Sequence, residues 1–143
     1  MRKIARTIYV GLAWFELAIL FIPIFIAGMA LFVRNSYWST HIEIGWAAGL
    51  PILGLIIFGL IGWIPRRLTV WLVGMSVLHF VHTALPGLKA DLPMGAAFHP
   101  VTALLLTWVT YKHARIATQL LLGPRGGSEN MEQPVQVEPS TQP

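Results

Sequence analysis

The sequence predicts an all-α, membrane-embedded bundle of four helices running up and down, with both termini on one side. Three observations carry that expectation. Hydrophobic residues make up 55% of the 143 positions and charged residues only 11%, less than half the roughly 25% charge of a soluble domain. Four apolar stretches approach or exceed the roughly 20 residues a helix needs to cross a bilayer. The basic residues gather at the ends of these stretches and not in long runs, so the net charge of +4 reads as membrane topology and points away from nucleic acid. Continuous apolar runs fit neither soluble strands nor barrel strands, whose pattern alternates. With no cysteine in the chain, disulfides, thiolate metal sites, iron–sulfur clusters and cysteine nucleophiles are excluded.

The spans are expected at about 8–33, 41–64, 68–85 and 94–115, the last with room to continue to Leu122. Arg34-Asn35-Ser36, Pro65-Arg66-Arg67 and the segment from Pro86-Gly87 to Asp91-Leu92-Pro93 separate them, and such residues suit short connections. Arg2, Lys3 and Arg6 precede the first span, Arg66 and Arg67 lie between the second and third, and Lys112, Arg115 and Arg125 follow the fourth. Basic residues near span ends favour the cytoplasmic side, which predicts cytoplasmic termini in a bacterial inner membrane. The first stretch is longer than the 7–15-residue apolar region of a secretory signal and contains Glu16, so it reads as a span. Residues 123–143 are rich in Gly, Pro, Glu and Gln, too polar to offset the entropy of ordering, and are expected to form a disordered cytoplasmic tail. One four-helix domain, 1–122, is therefore expected.

Ionisable groups inside a bilayer are costly and are candidates for function. Of the five histidines, His113 lies between Lys112 and Arg115 and reads as an interfacial residue. The other four fall in the outer half. A rise of 1.5 Å per residue puts His79 ~18 Å, His82 ~22 Å and His99 ~24 Å above the inner boundary, with His41 ~12 Å higher still. His41, Gly45 and Gly49 share a helical face, as do Gly74, Leu78 and His82, and also His99, Ala103 and Thr107. Pro100 marks either the start of the regular helix or a kink beside His99.

Neutral imidazole is the commonest biological metal ligand, and two histidines from facing helices can hold haem iron axially. In an up-down bundle the second and fourth helices lie diagonally across the core. His41 and His99 would then enter from the same side, with Arg34 and Lys89, the outer basic residues, available for propionates. Glu43 is placed to orient a ligand or to sit solvated near a helix start. Glu16, the lone carboxylate of the first span, has three readings: hydrogen-bonded in its neutral form, paired with Arg66 or Arg67, or part of a proton path.

His41 opening a span that ends at Ile64-Pro65-Arg66-Arg67, with Phe98-His99-Pro100-Val101 opening the last, resembles a family of small four-helix bacterial membrane proteins of unknown function. The arrangement is also similar to one half of haem A synthase, over roughly residues 1–120. That resemblance implies haem ligation by His41 and His99. In the synthase pattern a carboxylate precedes the first histidine, whereas here Glu43 follows it. His82 with His99 is the second choice of pair, with His79 beside them.

Three functions are therefore expected, in this order. The first is a membrane b-type haem protein passing electrons, with a quinone or a redox protein as partner. The second is a cofactor-free structural or assembly subunit, for which a homo-oligomer is one form. The third is a zinc or copper site built from His79, His82, His99 and Glu43. Whether any chemistry follows binding is left open. No nucleotide-binding glycine pattern is present, and a single intramembrane glutamate gives transport only thin support.

Overall fold

The computed structural model describes residues 1–123, which form helices and no strand among the described residues. Seven α-helices are present, α1 (Arg2–Ile19), α2 (Phe21–Phe32), α3 (Tyr37–Ala47), α4 (Leu50–Gly62), α5 (Arg66–Ala84), α6 (Pro93–Ala96) and α7 (His99–Leu122), and all but the short α6 make up four rods. The first rod is α1 and α2, bent at Leu20. Pro23 has no N–H for the carbonyl of Ile19, which is the local reason for the bend. The second rod is α3 and α4, interrupted at Ala48-Gly49, with Pro51 in the first turn of α4. The third is α5, which tightens into a 3-10 turn at Leu85–Lys89. The fourth is α7, with Pro100 in its first turn, where a missing N–H costs nothing. Pro100 thus starts the helix. The expected tail falls on residues 124–143, outside the described residues.

Three rods, Arg2–Phe32, Tyr37–Gly62 and Arg66–Lys89, are long and apolar enough to cross a membrane. Helix α7 has the length, 24 residues, but its second half carries Lys112, His113 and Arg115 and it is not among the three. It begins five residues later than the expected Met94, after a separate turn of helix at Pro93–Ala96, and runs on to Leu122.

The rods close into a ring. Helix α1 packs on α4 and α7, α2 on α3, and α5 on α7, with a lighter contact between α4 and α5. The second and fourth rods are therefore diagonal, as expected from the short connections, and so are the first and third. Each rod turns one stripe inward at helical spacing: Ala5, Tyr9, Ala13, Glu16 and Leu20 in the first, Leu68, Leu72, Met75 and His79 in the third, and Leu106, Thr110, His113 and Ala117 in the fourth. Gly54 lets Leu12 lie directly on the backbone of α4, the close approach that small residues give apolar helices. Large side chains on the opposite faces are bare: Leu60 is 74%, Leu104 71% and Phe80 69% exposed. Such a girdle suits a lipid surround and not water.

The N-terminal arginines also have a structural task. Helix α4 ends with Trp63 in the left-handed region, φ 50°, a conformation that costs a non-glycine residue about 1–2 kcal/mol. Arg6 holds that turn by donating from Nε to the carbonyl of Gly62 at 2.9 Å and from Nη2 to that of Trp63 at 3.3 Å. The guanidinium of Arg2 lies 5.2 Å from the Trp63 ring centre.

Candidate functional site

His41, His79, His82 and His99, contributed by α3, α5 and α7, line one cavity of about 660 Å³. That volume is within the range of roughly 300–1,000 Å³ common for ligand and cofactor sites. Leu20, Pro23 and Trp46 supply apolar wall, Gly45 is part of the second-rod face, and Pro86, Gly87 and Lys89 form the rim. A smaller void of about 40 Å³ continues inward past His99, Ala103, Leu106 and Thr107.

All four predicted histidines thus meet, although the helical-rise estimate set His41 well above the rest. The estimate took every rod as straight and counted each from a different inner residue; in the structure the ring of His99 lies 6.0 Å from that of His41 and 4.0 Å from that of His82.

Hydrogen bonds fix three of these imidazoles. His41 donates from Nδ1 to the carbonyl of Pro23 at 2.8 Å, joining the bend of the first rod to the second. His99 donates from Nδ1 to the carbonyl of His82 at 2.9 Å. Thr102 donates its hydroxyl to the carbonyl of His99 at 2.9 Å, so its oxygen accepts from His82 Nδ1 at 2.9 Å. This closed loop ties the end of α5 to the start of α7. It also sets one tautomer for all three rings, with the proton on Nδ1 and the Nε2 lone pair available. A metal-binding histidine needs that arrangement, one ring nitrogen donating to the protein and the other left for the metal.

The rings differ in how they face one another. Those of His41 and His99 have centroids 6.0 Å apart and planes at 85°. Two imidazoles bound to opposite sides of one metal, with bonds of ~2.0 Å, put their centres ~6 Å apart. His82 instead lies flat on His99, centroids 4.0 Å apart and planes at 10°. A parallel stack does not let both rings face one atom from opposite sides. Trp38 braces His41 edge-on at 5.5 Å.

His79 stands on the inner wall. A Cβ at Gly49 would come within 2.9 Å of its Nε2, so this ring occupies the space that the missing side chain leaves. Its Nδ1 is 3.9 Å from Glu16 Oε1 across the other diagonal.

Several expected positions are corrected. Glu16 faces His79 and does not pair with Arg66 or Arg67, which are exposed. His113 is not interfacial: it is fully buried and shares a 2.9 Å hydrogen bond with the hydroxyl of Tyr9 through Nε2. Helix α7 continues past it, so the flanking Lys112 and Arg115 do not mark a helix end. Gly74 points outward while Met75 and His79 point in, because the inward stripe of α5 runs through Leu68 and Leu72. Arg34 is exposed, with its guanidinium 5.5 Å from the Tyr37 ring centre, and does not line the cavity; Lys89 does. Glu43 is exposed and is not among the cavity residues, which fits the solvated helix-start alternative.

Sequence reasoning passed over Thr102, Tyr9 and Thr110. Thr102 lies three residues after His99 and Tyr9 seven before Glu16, so both were readable as neighbours on the same helical face. Replacing Thr102 by Val should leave the Nδ1 proton of His82 without an acceptor and cost about 1–3 kcal/mol. Thermal unfolding in detergent, with Thr102→Ser as the variant that keeps the bond and the stability, checks this.

Residues 23–87 match the model of a family of unknown function (DUF6220), a little under half of the chain. The match takes in His41, His79 and His82 and stops before His99. Nothing links the chain to haem A synthase. No curated protein and no solved structure matches it.

Proposed function

We propose that this chain is a small integral membrane protein that binds b-type haem between His41 and His99 and takes part in electron transfer. The observation that carries the reading is the close pair of imidazoles, ring centres 6.0 Å apart and planes at 85°, each with Nδ1 committed to a main-chain carbonyl. Among the described residues no group of three or more His, Asp and Glu is placed to hold a metal ion. Zinc takes three or four protein ligands, whereas a porphyrin supplies four of its own and needs only two more. The donor set therefore favours haem over the zinc or copper alternative.

When bound, haem would supply one-electron chemistry at a potential set by its axial ligands and by the polarity around it. The protein's part follows from the residues already placed. His41 and His99 would hold the group through their Nε2 atoms. The main chain of Pro23 and His82 holds both rings in register. His82 buttresses His99 from the side. Leu20, Pro23 and Trp46 keep the wall apolar, and Lys89, which also lines the cavity, would be the cation for a propionate. A quinone or a redox protein would be the exchange partner. The fourth rod would complete the crossing, with both termini on the cytoplasmic side of a bacterial inner membrane, as the basic residues suggest.

The cofactor-free subunit makes the opposite prediction in one experiment. The full-length protein is purified in mild detergent after expression with haem precursor supplied, and its oxidised and reduced spectra are recorded. A Soret band with stoichiometric haem supports the proposal. Colourless protein that co-purifies with a larger complex supports the structural subunit and refutes haem binding.

A further inference from the structure

We propose that the bundle interior also carries a proton path, from the Tyr9–His113 pair past Thr110 and Glu16 to His79 and so into the histidine cavity. This does not rest on haem, and its test is read on a different signal.

Five buried polar atoms have no hydrogen-bond partner among the described residues: both carboxyl oxygens of Glu16, Nδ1 of His79, Oγ1 of Thr110 and Nδ1 of His113. An unpaired buried polar group is destabilising, so a core built only for stability would use apolar residues of the same shape. These atoms are also not scattered. Tyr9 and Glu16 lie on the same inward stripe of α1, seven residues and ~10.5 Å apart. Thr110 and His113 lie on the inward stripe of α7, ~4.5 Å apart, and His113 is joined to Tyr9 at 2.9 Å. Because α1 and α7 are antiparallel, Thr110 lies from His113 in the direction that Glu16 lies from Tyr9. Glu16 then faces His79 at 3.9 Å, and His79 lines the cavity, whose rim at Pro86, Gly87 and Lys89 is at the other end of the bundle. The series therefore runs from near the Arg6–Trp63 turn to the opposite rim.

Every member can pass a proton on. A hydroxyl, an imidazole or a carboxyl group accepts one proton at a free lone pair and releases another from its O–H or N–H. After one passage nothing has changed but the place of the proton and the orientation of the groups. Waters between these groups, each needing two to four polar partners, would supply the intervening steps. The elements packed around the series add no competing acid or base: α4 presents Leu55 and Gly59, and α5 presents Leu72 and Met75. Arg6, one turn before Tyr9 on α1, is spent on the carbonyls of Gly62 and Trp63.

The test uses full-length protein reconstituted into neutral-lipid vesicles that enclose a pH-sensitive dye, with valinomycin and potassium clamping the potential. After an external pH step, wild-type vesicles should equilibrate faster than empty ones. Glu16→Gln, whose amide cannot relay, should lower the protein-dependent rate at least tenfold. Tyr9→Phe should lower it similarly, and it reads the same path if Glu16→Gln does not fold. Glu43→Gln, an exposed carboxylate off the path, should match wild type. A wild-type rate equal to that of empty vesicles overturns the proposal. So does undiminished conduction in a folded Glu16→Gln protein, or an equal loss in Glu43→Gln.

Discussion

Replacing His99 by alanine is expected to lower haem affinity by about a hundredfold or more, some 2.8 kcal/mol, and to remove the Soret band at ordinary haem concentrations. Of the other cavity residues only His41 should do as much. His99 would give an axial nitrogen, holds the carbonyl of His82 through Nδ1, and is the ring on which His82 stacks. His41→Ala should lose the same band, since its ring faces His99 across the diagonal. His82→Ala should keep it, because the stacked ring supports a ligand without being one. Thr102→Val should weaken haem binding about tenfold, as expected for a group that orients a ligand without touching the metal. Haem titrations of the four variants, followed in the visible spectrum, separate these roles. A band that survives His99→Ala and is lost in His82→Ala would show that the pair is wrong.

The second large effect is expected far from the cavity. Tyr9 and His113 are both fully buried and joined by one hydrogen bond. Tyr9→Phe should leave both nitrogens of His113 without partners, at a cost of about 1–3 kcal/mol. His113→Leu should likewise strand the hydroxyl of Tyr9. The double variant removes both polar groups and replaces them with apolar ones of similar shape. It should therefore be less destabilised than the sum of the singles by about 1 kcal/mol or more. Thermal unfolding in detergent, followed by circular dichroism, measures all four proteins. Strict additivity would mean that the bond contributes nothing in the folded state.

The parts of this protein that composition governs were legible in the sequence. Long apolar runs gave four rods, although the first begins at Arg2, six residues before the expected start, and the last begins only after a separate turn at Pro93–Ala96. The short connections gave the diagonal placement of the second and fourth rods, and hence the meeting of His41 with His99. What escaped was everything set by rotation and register between helices. His113 looked interfacial because its neighbours are charged, yet a helix turns 100° per residue, so Lys112 and Arg115 face outward while His113 faces Tyr9. Arg34 looked close to the cavity because it is near in sequence, but Tyr37 holds it outside. Thr102 was readable as a neighbour of His99 on one helical face, but its bond to His82 arises only when the end of α5 arrives beside the start of α7. Glu16 was visible as an anomaly, but its partner lies 63 residues away on the opposite rod.

The near-perpendicular rings of His41 and His99 offer the most direct check on the proposed site. Iron held by two imidazoles with crossed planes gives a highly anisotropic low-spin signal in the electron paramagnetic resonance of the ferric protein, whereas parallel planes give an ordinary rhombic one. With haem between these two side chains, the wild-type protein should show the anisotropic signal, and His82→Ala should preserve it. A rhombic low-spin signal, a high-spin signal, or protein that takes up no haem at all would contradict ligation by this pair.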